Sequence, residues 1–399
     1  MRKTMKTLFD LRENQENEII EAIAKIYAEP LEVIRLGEGD IRACTGCWSC
    51  WLKTPGRCAI KDPMAASYPA YVNSDTFIVL MDTAQGFINH QAKAFLDRTI
   101  PLYHPYIELV NGECHHVARY ERYPDTVFYV DAEGLTDPEE AVVEDYLWRT
   151  AFHFKSKACR IVKSDGLQLR QLASGKAKKR AAVFGAAESM DQLVIYNGSP
   201  RKRGSNSALI LKKVKAALGD RVAIRDLKKT GQWEEWAAAF PREKHVMFFM
   251  PLYVHAMPSH VMAFIEKLQA SEGSLSFFVQ SGFPESSQSH YLEAYLEQLS
   301  RRLNRTYLGT AIRGGVESPH MRPAKAQDKM MEPMVKTIGH LVREGHFHTA
   351  DIRQLARPVR FGKGVQLLFN LLGERFINAF WDQQMKENGA YEKRFDRPY

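Results

Sequence analysis

Two stretches of this chain lie over one another without a gap. "DTFIVLMDTAQGFINHQAKAFLDR", from Asp75, and "KHVMFFMPLYVHAMPSHVMAFIEKL", from Lys244, each run an apolar strand through a turn into a helical period. Asp82 falls on Pro251 and Ala94 on Ala263, both 169 residues apart. A strand–turn–helix unit that recurs at such a separation points to a duplicated body, not one continuous core. The chain's 399 residues leave room for two domains.

The flanking elements keep the same order. In the second half "QLVIYNGSP" is a strand entering a turn, "NSALILKKVKAAL" an amphipathic helix and "RVAIRDL" a short strand. "KHVMFFMPLY", "SLSFFVQSG" and "TYLGTAIRG" supply three more strands, with "HVMAFIEKL" and "YLEAYLEQLSRRL" as helices between them. In the first half "KTLFDL", "NEIIEAIAKIY", "LEVIRL", "DTVFYVDAEG", "EEAVVEDYLWRTAFHF" and "ACRIVKS" follow the same alternation. The expected fold is therefore α/β, with two tandem flavodoxin-like doubly wound parallel sheets, the first degenerate, and a helical C-terminal tail. The expected boundaries are a cysteine-bearing domain over 1–165, a linker over 166–190, a second domain over 191–318 and the helical extension over 319–399.

Several function classes drop out. No apolar run approaches the ~20 residues that cross a membrane. The opening "MRKTMKTLFDLREN" has no apolar core and does not read as a signal peptide. No Lys/Arg tract interleaved with aromatics suggests nucleic acid. The net charge of +8 suits an anionic ligand as well as it suits a merely basic surface. Six cysteines, four of them clustered, suggest a reducing, cytoplasmic setting and metal or redox use over disulfides.

"YNGSPRKRGSNS" has the form of a phosphate cradle. Gly198-Ser199-Pro200-Arg201 leaves a strand, and Ser205-Asn206-Ser207 opens a helix. A phosphate there meets unpaired backbone N–H groups and the positive end of the helix dipole. Ser199, Ser205 and Ser207 offer hydroxyls, Asn206 an amide and Arg201 a cation. The plain alternative is a solvated turn with an N-cap. No G-K-[ST] follows, so this is not the loop of a nucleoside triphosphatase. Pro251-Leu252-Tyr253-Val254 ends the third strand, and Ser281-Gly282-Phe283 ends the fourth. In a doubly wound sheet those ends line the ligand crevice, where an exposed Tyr can support a flat ring.

These motifs, in this order over roughly Asp191 to Val316, resemble the NADPH-dependent FMN reductases of the flavodoxin-like superfamily. The resemblance implies FMN phosphate on Ser199, Arg201, Ser205, Asn206 and Ser207. It implies ring contacts from Pro251, Leu252, Tyr253, Val254, Ser281, Gly282 and Phe283, with NAD(P)H as co-substrate. The closing "FWDQQMKENGAYEKRFDRPY" resembles the tail of larger bacterial members.

"CTGCWSCWLKTPGRC" places Cys44, Cys47 and Cys50 three residues apart, with Cys58 beyond a Pro-Gly turn. Three thiolates so spaced converge on one centre, as in ferredoxin loops. Zinc more often draws two separated pairs. A 4Fe–4S cluster, free thiols and zinc all stand as readings of this loop. With "QAKAFLDRTIPLYHPY" it resembles the iron–sulfur flavoproteins of the same superfamily. Cys114 and Cys159 read as isolated thiols. Two departures separate the first half from that family. "LFDLRENQENEII" stands where a phosphate turn belongs, so Glu13 and Glu16 would repel phosphate. Asp82-Thr83 replaces the ring support. The first half is therefore expected to bind no FMN.

The leading expectation is an FMN-dependent NAD(P)H oxidoreductase that passes electrons to a small acceptor, a quinone, a redox protein or an iron–sulfur centre. A flavin-binding electron carrier or sensor is the alternative, and a scaffold with both sites decayed a third. No catalytic side chain is assigned, since hydride transfer to a flavin requires none. His255 and His260 read as packing or surface residues. The chain is expected to be a pseudo-dimer in itself, with homodimerisation open.

Overall fold

The computed structural model describes residues 5–27, 30–37, 39–165, 168–171, 185–202, 204–317 and 323–399. The chain divides into two compact units. Unit 1 comprises Met1–Val110, His115–Ala177 and Gly364–Tyr399, and unit 2 comprises Asn111–Cys114 and Lys178–Lys363.

Unit 1 begins β1 (Lys6–Asp10), α1 (Asn17–Ile26), β2 (Glu32–Arg35), α2 (Ser49–Leu52), α3 (Met64–Asn73) and β3 (Thr76–Met81). A two-residue ribbon, β4 (Thr83–Ala84) with β5 (Phe87–Ile88), leads to α4 (His90–Asp97). Then come β6 (Tyr103–Val110), β7 (Glu113–Ala118, its first two residues grouped with unit 2), β8 (Asp125–Asp131), α5 (Asp137–His153), β9 (Cys159–Asp165) and β10 (Gln168–Gln171). The sheet order is β2-β1-β3-β8-β9, all parallel, with β10 antiparallel at the edge. Ile19, Ile20 and Ile23 of α1 pack on Leu8, Ile78, Leu80, Val127 and Tyr129 of three neighbouring strands. That burial follows from the i, i+3, i+4 spacing of the helix's apolar stripe.

Unit 2 holds β11 (Leu193–Asn197), α6 (Asn206–Leu218), β12 (Val222–Asp226), α7 (Trp233–Ala239), β13 (His245–Pro251), α8 (Ser259–Ile265), β14 (Ser274–Gln280), α9 (His290–Arg302) and β15 (Thr306–Arg313). Its parallel sheet runs β12-β11-β13-β14-β15. Both units therefore show the flavodoxin-like order 2-1-3-4-5. The gapless overlay is reproduced in the elements: β3 and β13 begin at Thr76 and His245, and α4 and α8 at His90 and Ser259, each pair 169 residues apart. α10 (Ala324–Glu344) and α11 (Thr349–Leu355) pack on unit 2 through Met334, Ile338, Leu341, Val342, Phe347 and Leu355.

The last helix, α12 (Lys363–Glu387), groups from Gly364 with unit 1. The stretch expected as one C-terminal extension is thus shared between the units. Most of the expected linker lies outside the described residues, and Gln168–Gln171 within it pairs as a strand. No described helix is long and apolar enough to cross a membrane.

One element has no counterpart among the sequence expectations. β6 and β7 pair across Asn111-Gly112, where both residues take positive φ (52° and 76°). That is the tight primed turn Asn-Gly favours, and it fixes a hairpin. Within unit 1, Ile107 N–H donates to Asn378 Oδ1 at 2.9 Å and Tyr106 Oη to Asp382 at 2.5 Å, which docks α12 on β6.

Candidate functional site

The βα turn of unit 2 leaves β11 at Asn197. Gly198 must pass close to β13 and α8: a Cβ there would stand 2.7 Å from Val261 Cγ2 and 3.0 Å from Met250 Cβ. Asn197 Oδ1 accepts from Ser199 N–H at 3.2 Å and holds the turn back on its own strand. Gly204 supplies a left-handed step (φ 64°), and Ser205 caps α6, its hydroxyl accepting from Ala208 N–H at 3.1 Å. Such a cap stabilises a helix by about 1 kcal/mol. Ser205 Oγ also donates to Ser199 Oγ at 2.8 Å. The two hydroxyls, both buried, form one polar point in front of the helix N–H groups that lack intrahelical partners.

Two of the expected phosphate ligands are occupied elsewhere by their side chains. Asn206 Nδ2 donates to Val316 O at 2.6 Å and to Glu317 O at 3.2 Å, tying α6 to the segment after β15. Ser207 Oγ is fully buried and accepts from Gln280 Nε2 at 2.8 Å. The Asn206 amide is thereby engaged with the segment after β15, and Ser207 is withdrawn from the surface, its O–H still able to donate. Arg201 stays at the rim, with Nη2 4.0 Å from Glu317 Oε1.

Pro251, Leu252, Tyr253 and Val254 are all partly exposed at the end of β13. Leu252 N–H donates to Gln280 O at 2.8 Å, and Tyr253 and Ala256 exchange N–H···O bonds of 2.8 and 2.9 Å across a tight turn. The turn forces Val254 and His255 to positive φ (40° and 59°). For a β-branched residue that is a costly conformation of about 1–3 kcal/mol, a kind of strain that clusters at ligand clamps. In the neighbouring loop Ser281 is structural: its N–H donates to Arg313 O at 3.0 Å and its hydroxyl to Phe283 O at 2.9 Å. Gly282 and Phe283 form the rim. His255 and His260 are buried, and burial lowers His260 to about 4, as a packing histidine requires.

Unit 1 places different chemistry at the same strand ends. Asp10 closes β1, Asp82 follows β3 and Asp131 closes β8, where unit 2 has Asn197, Pro251 and Gln280. Arg12, the one arginine of the turn, is engaged by Asp10 through contacts of 2.9 and 3.0 Å. Asp82 accepts from Glu13 N–H at 2.8 Å, and burial lifts its pKa to about 6, with Asp131 adding to the rise. A carboxylate ~4 Å from a phosphate charge opposes it by about 4 kcal/mol. That exceeds the ~1.5–3 kcal/mol of a charge-assisted hydrogen bond. Three carboxylates, one of them paired with Arg12, thus stand at these strand ends.

The cysteine loop is a tight structure of its own. Gly46 and Trp48 take positive φ (60° and 58°) and turn the chain into α2. Gly56 N–H then returns to Cys50 O at 3.0 Å. None of the six cysteines is in a disulfide. Burial pushes the Cys44 thiol up to about 12. It raises Cys50 well above the ordinary value, helped by the charges of Cys44, Cys58 and Cys47. At Cys47, which is exposed, desolvation is outweighed by hydrogen bonds from Ser49 and Thr45, and the thiol titrates low. Among the described residues no three of these sulfurs lie within 4.8 Å of one another.

Three buried cations face this loop. Lys93 feels Cys44, Arg119 feels Cys50 and Arg98 feels Cys58. All three are at most 1% exposed. Lys93 pairs with Asp97, and Arg98 makes a bidentate contact with Asp62 at 2.6 and 2.8 Å. Arg119 instead donates to the carbonyl oxygens of Pro101, Tyr103, Arg394 and Asp396. Buried cations in excess of buried carboxylates suit a centre of negative thiolates. The chain's end covers the loop. Trp381 meets Trp48 and Trp51 edge-on at 5.2 and 5.3 Å, and Tyr399 stacks on Tyr68 at 5.4 Å. A Cβ on Gly56 would fall 2.7 Å from Pro398.

Sequence reasoning missed these cations, although the overlay contained the signal: Lys93 falls on the buried Met262. It also missed Glu317, which lies beyond the last quoted motif. Cys114 is a buried thiol raised by desolvation and by Glu285.

No protein-family model and no curated protein sequence matches this chain. Among solved structures it is similar to an NADPH-quinone reductase from P. pentosaceus, at 12% identity over 38% of this chain and 96% of that one, with a TM-score of 0.29. An NAD(P)H:quinone oxidoreductase from Methanothermobacter marburgensis is similar at 13% identity, 40% and 99% coverage and a TM-score of 0.31. General stress protein 14 from Treponema denticola, in complex with FMN, is similar at 10% identity, 36% and 98% coverage and a TM-score of 0.30.

Proposed function

We propose that this chain is an FMN-dependent NAD(P)H oxidoreductase whose unit 2 holds the flavin and whose cysteine loop holds a 4Fe–4S cluster. The carrying observation is the turn into α6, where the hydroxyls of Ser199 and Ser205 pair, Gly204 is left-handed and Ser205 caps the helix, with Arg201 in the same turn. The strand ends beside it are the neutral Asn197, Pro251 and Gln280. Bound FMN supplies hydride acceptance and one-electron chemistry. The chain's residues bind and orient. Arg201 sets charge against the phosphate, the helix head donates to its oxygens, and the strained Tyr253–Ala256 turn walls the ring. Lys93, Arg98 and Arg119 balance the thiolates, while Trp381 packs on Trp48 and Trp51 of the loop and Cys47 stays exposed. The electron acceptor is of the small-molecule, quinone or iron–sulfur class.

The test is an absorption spectrum of protein purified without oxygen, with iron and acid-labile sulfide assays, followed by NADH or NADPH. Flavin bands that bleach on addition of the nicotinamide alone, with about four irons per chain, support the reading. Flavin that stays oxidised indicates an electron carrier instead. Absence of flavin after reconstitution with FMN sinks the proposal.

A further inference from the structure

A cluster of ligating side chains lies apart from the flavin crevice, where α10 turns into α11 in unit 2. Gly345 ends α10 in a left-handed cap (φ 75°), and a Cβ there would strike Ala187 O at 1.9 Å. The chain then runs His346-Phe347-His348 into α11. Phe347 is buried in the core of the unit, while His346 and His348 on either side of it are partly exposed. His348 is the N-cap of α11, and Asp351 lies in that helix's first turn.

Two imidazoles converge on one carboxylate oxygen. His340 Nδ1 is 2.6 Å from Asp351 Oδ2, and His348 Nδ1 is 3.7 Å from the same atom. The two rings lie 4.0 Å apart, and the three ligand atoms all fall within 4.8 Å of one another. The other nitrogen of His348, Nε2, is 2.7 Å from Glu344 Oε2. A proton on Nε2 would satisfy that carboxylate and leave the Nδ1 lone pair facing Asp351. This is the carboxylate–histidine arrangement that orients metal ligands. Lys336 holds the far oxygen, Oδ1, at 3.1 Å, which leaves Oδ2 to the imidazoles. The bland reading is a helix-start aspartate with surface ion pairs. It accounts for Asp351 and Lys336, but not for two imidazoles, tilted 31° to one another, that both approach one oxygen with an orienting carboxylate behind one of them.

We infer that His340, His348 and Asp351 form a binding site for a divalent transition-metal ion of the zinc class, with Glu344 as the positioning residue for His348. Two imidazoles and one carboxylate suit zinc, cobalt or nickel, and not the hard cations magnesium and calcium. The ion takes the place of the proton between His340 Nδ1 and Asp351 Oδ2, so binding releases protons and weakens as pH falls. The remaining positions fall to water.

The experiment is a titration of untagged, chelator-treated full-length protein with cobalt(II), followed by calorimetry and by absorption. Wild type is expected to bind one more cobalt than His348→Ala and His340→Ala. That ion should lack the intense thiolate charge-transfer band which any cobalt on the cysteine loop would show. Glu344→Gln should keep the stoichiometry and weaken this ion about ten- to a hundredfold. Since these side chains are partly exposed, the variants should keep the wild-type circular dichroism spectrum. Equal stoichiometry and affinity in wild type and His348→Ala would overturn the site. So would an extra ion carrying the thiolate band.

Discussion

The guanidinium of Arg201 and the carboxylate of Glu317 stand 4.0 Å apart, one after β11 and the other after β15. The same carboxylate abuts the loop after β14: a Cβ on Gly282 would meet Glu317 Oε2 at 1.6 Å. One side chain thus touches both the turn after β11 and the loop after β14. Burial raises its pKa, opposed by Arg201. A phosphate entering beside Arg201 meets this negative charge. Glu317→Gln is therefore expected to tighten FMN binding about fivefold, the worth of a partly screened charge pair near 1 kcal/mol. Quenching of flavin fluorescence on titration into apoprotein measures it. Unchanged or weaker affinity would show that Glu317 does not oppose the phosphate.

The phosphate assignment itself rests on the turn. Ser199→Ala with Arg201→Ala removes one of the paired hydroxyls and the cation, while Ser205 keeps its cap on Ala208. Losing a charge-assisted contact and a hydrogen bond should weaken FMN by roughly two orders of magnitude. Flavin content of the purified double variant, read after heat release, is the measurement. Content equal to wild type would refute the turn as the phosphate site.

The strand–helix alternation was readable because both periods are carried by buried apolar residues. Phe77–Met81 and Val246–Met250 are fully buried, and the 169-residue overlay survives intact in the elements. The hairpin of β6 and β7 escaped because its strands, "YHPYIELV" and "ECHHVA", carry histidine, proline and glutamate in place of a clean alternation. Only Asn111-Gly112 marked it. For the site, residue type was legible and side-chain direction was not. Asn206 and Ser207 fit a phosphate motif by identity, yet their side chains bond Val316, Glu317 and Gln280, contacts over 73 to 111 residues of chain. The cover over the cysteine loop is likewise long-range. Trp381, Pro398 and Tyr399 reach it from the far end of the sequence, and nothing local announces them.

That cover yields a prediction about the cysteine centre. Arg119 Nη1 holds the carbonyls of Arg394 and Asp396 at 3.1 and 2.8 Å, and Pro398 lies against Gly56. Deleting residues 395–399 removes Tyr399 from Tyr68 and opens the loop to water and oxygen. If the loop holds iron, the truncated protein should lose it in air several times faster than wild type, with its flavin content unchanged. Iron released over time to a chelator gives the rate. Identical rates would mean that the tail does not shield the centre.

The acidic crevice of unit 1 makes a prediction about pH. Asp82 titrates at about 6 in the folded chain because burial disfavours its charged form. Its unfolded value is near 3.9. Between these values the native state binds more protons than the unfolded one, so this group's contribution to stability falls as pH rises from about 4 to 6. Above that window the buried charge remains as a standing cost. Asp82→Asn keeps an oxygen to accept from Glu13 N–H and removes the charge. It should therefore stabilise the protein at pH 7 by about 1 kcal/mol, screening included, and make little difference at pH 4. Urea unfolding of wild type and variant at the two pH values measures the difference. A gain that is larger at pH 4 than at pH 7 would contradict a raised Asp82. The same variant removes one of the three carboxylates at the ends of β1, β3 and β8. Asp10 and Asp131 remain, so unit 1 should still take up no FMN.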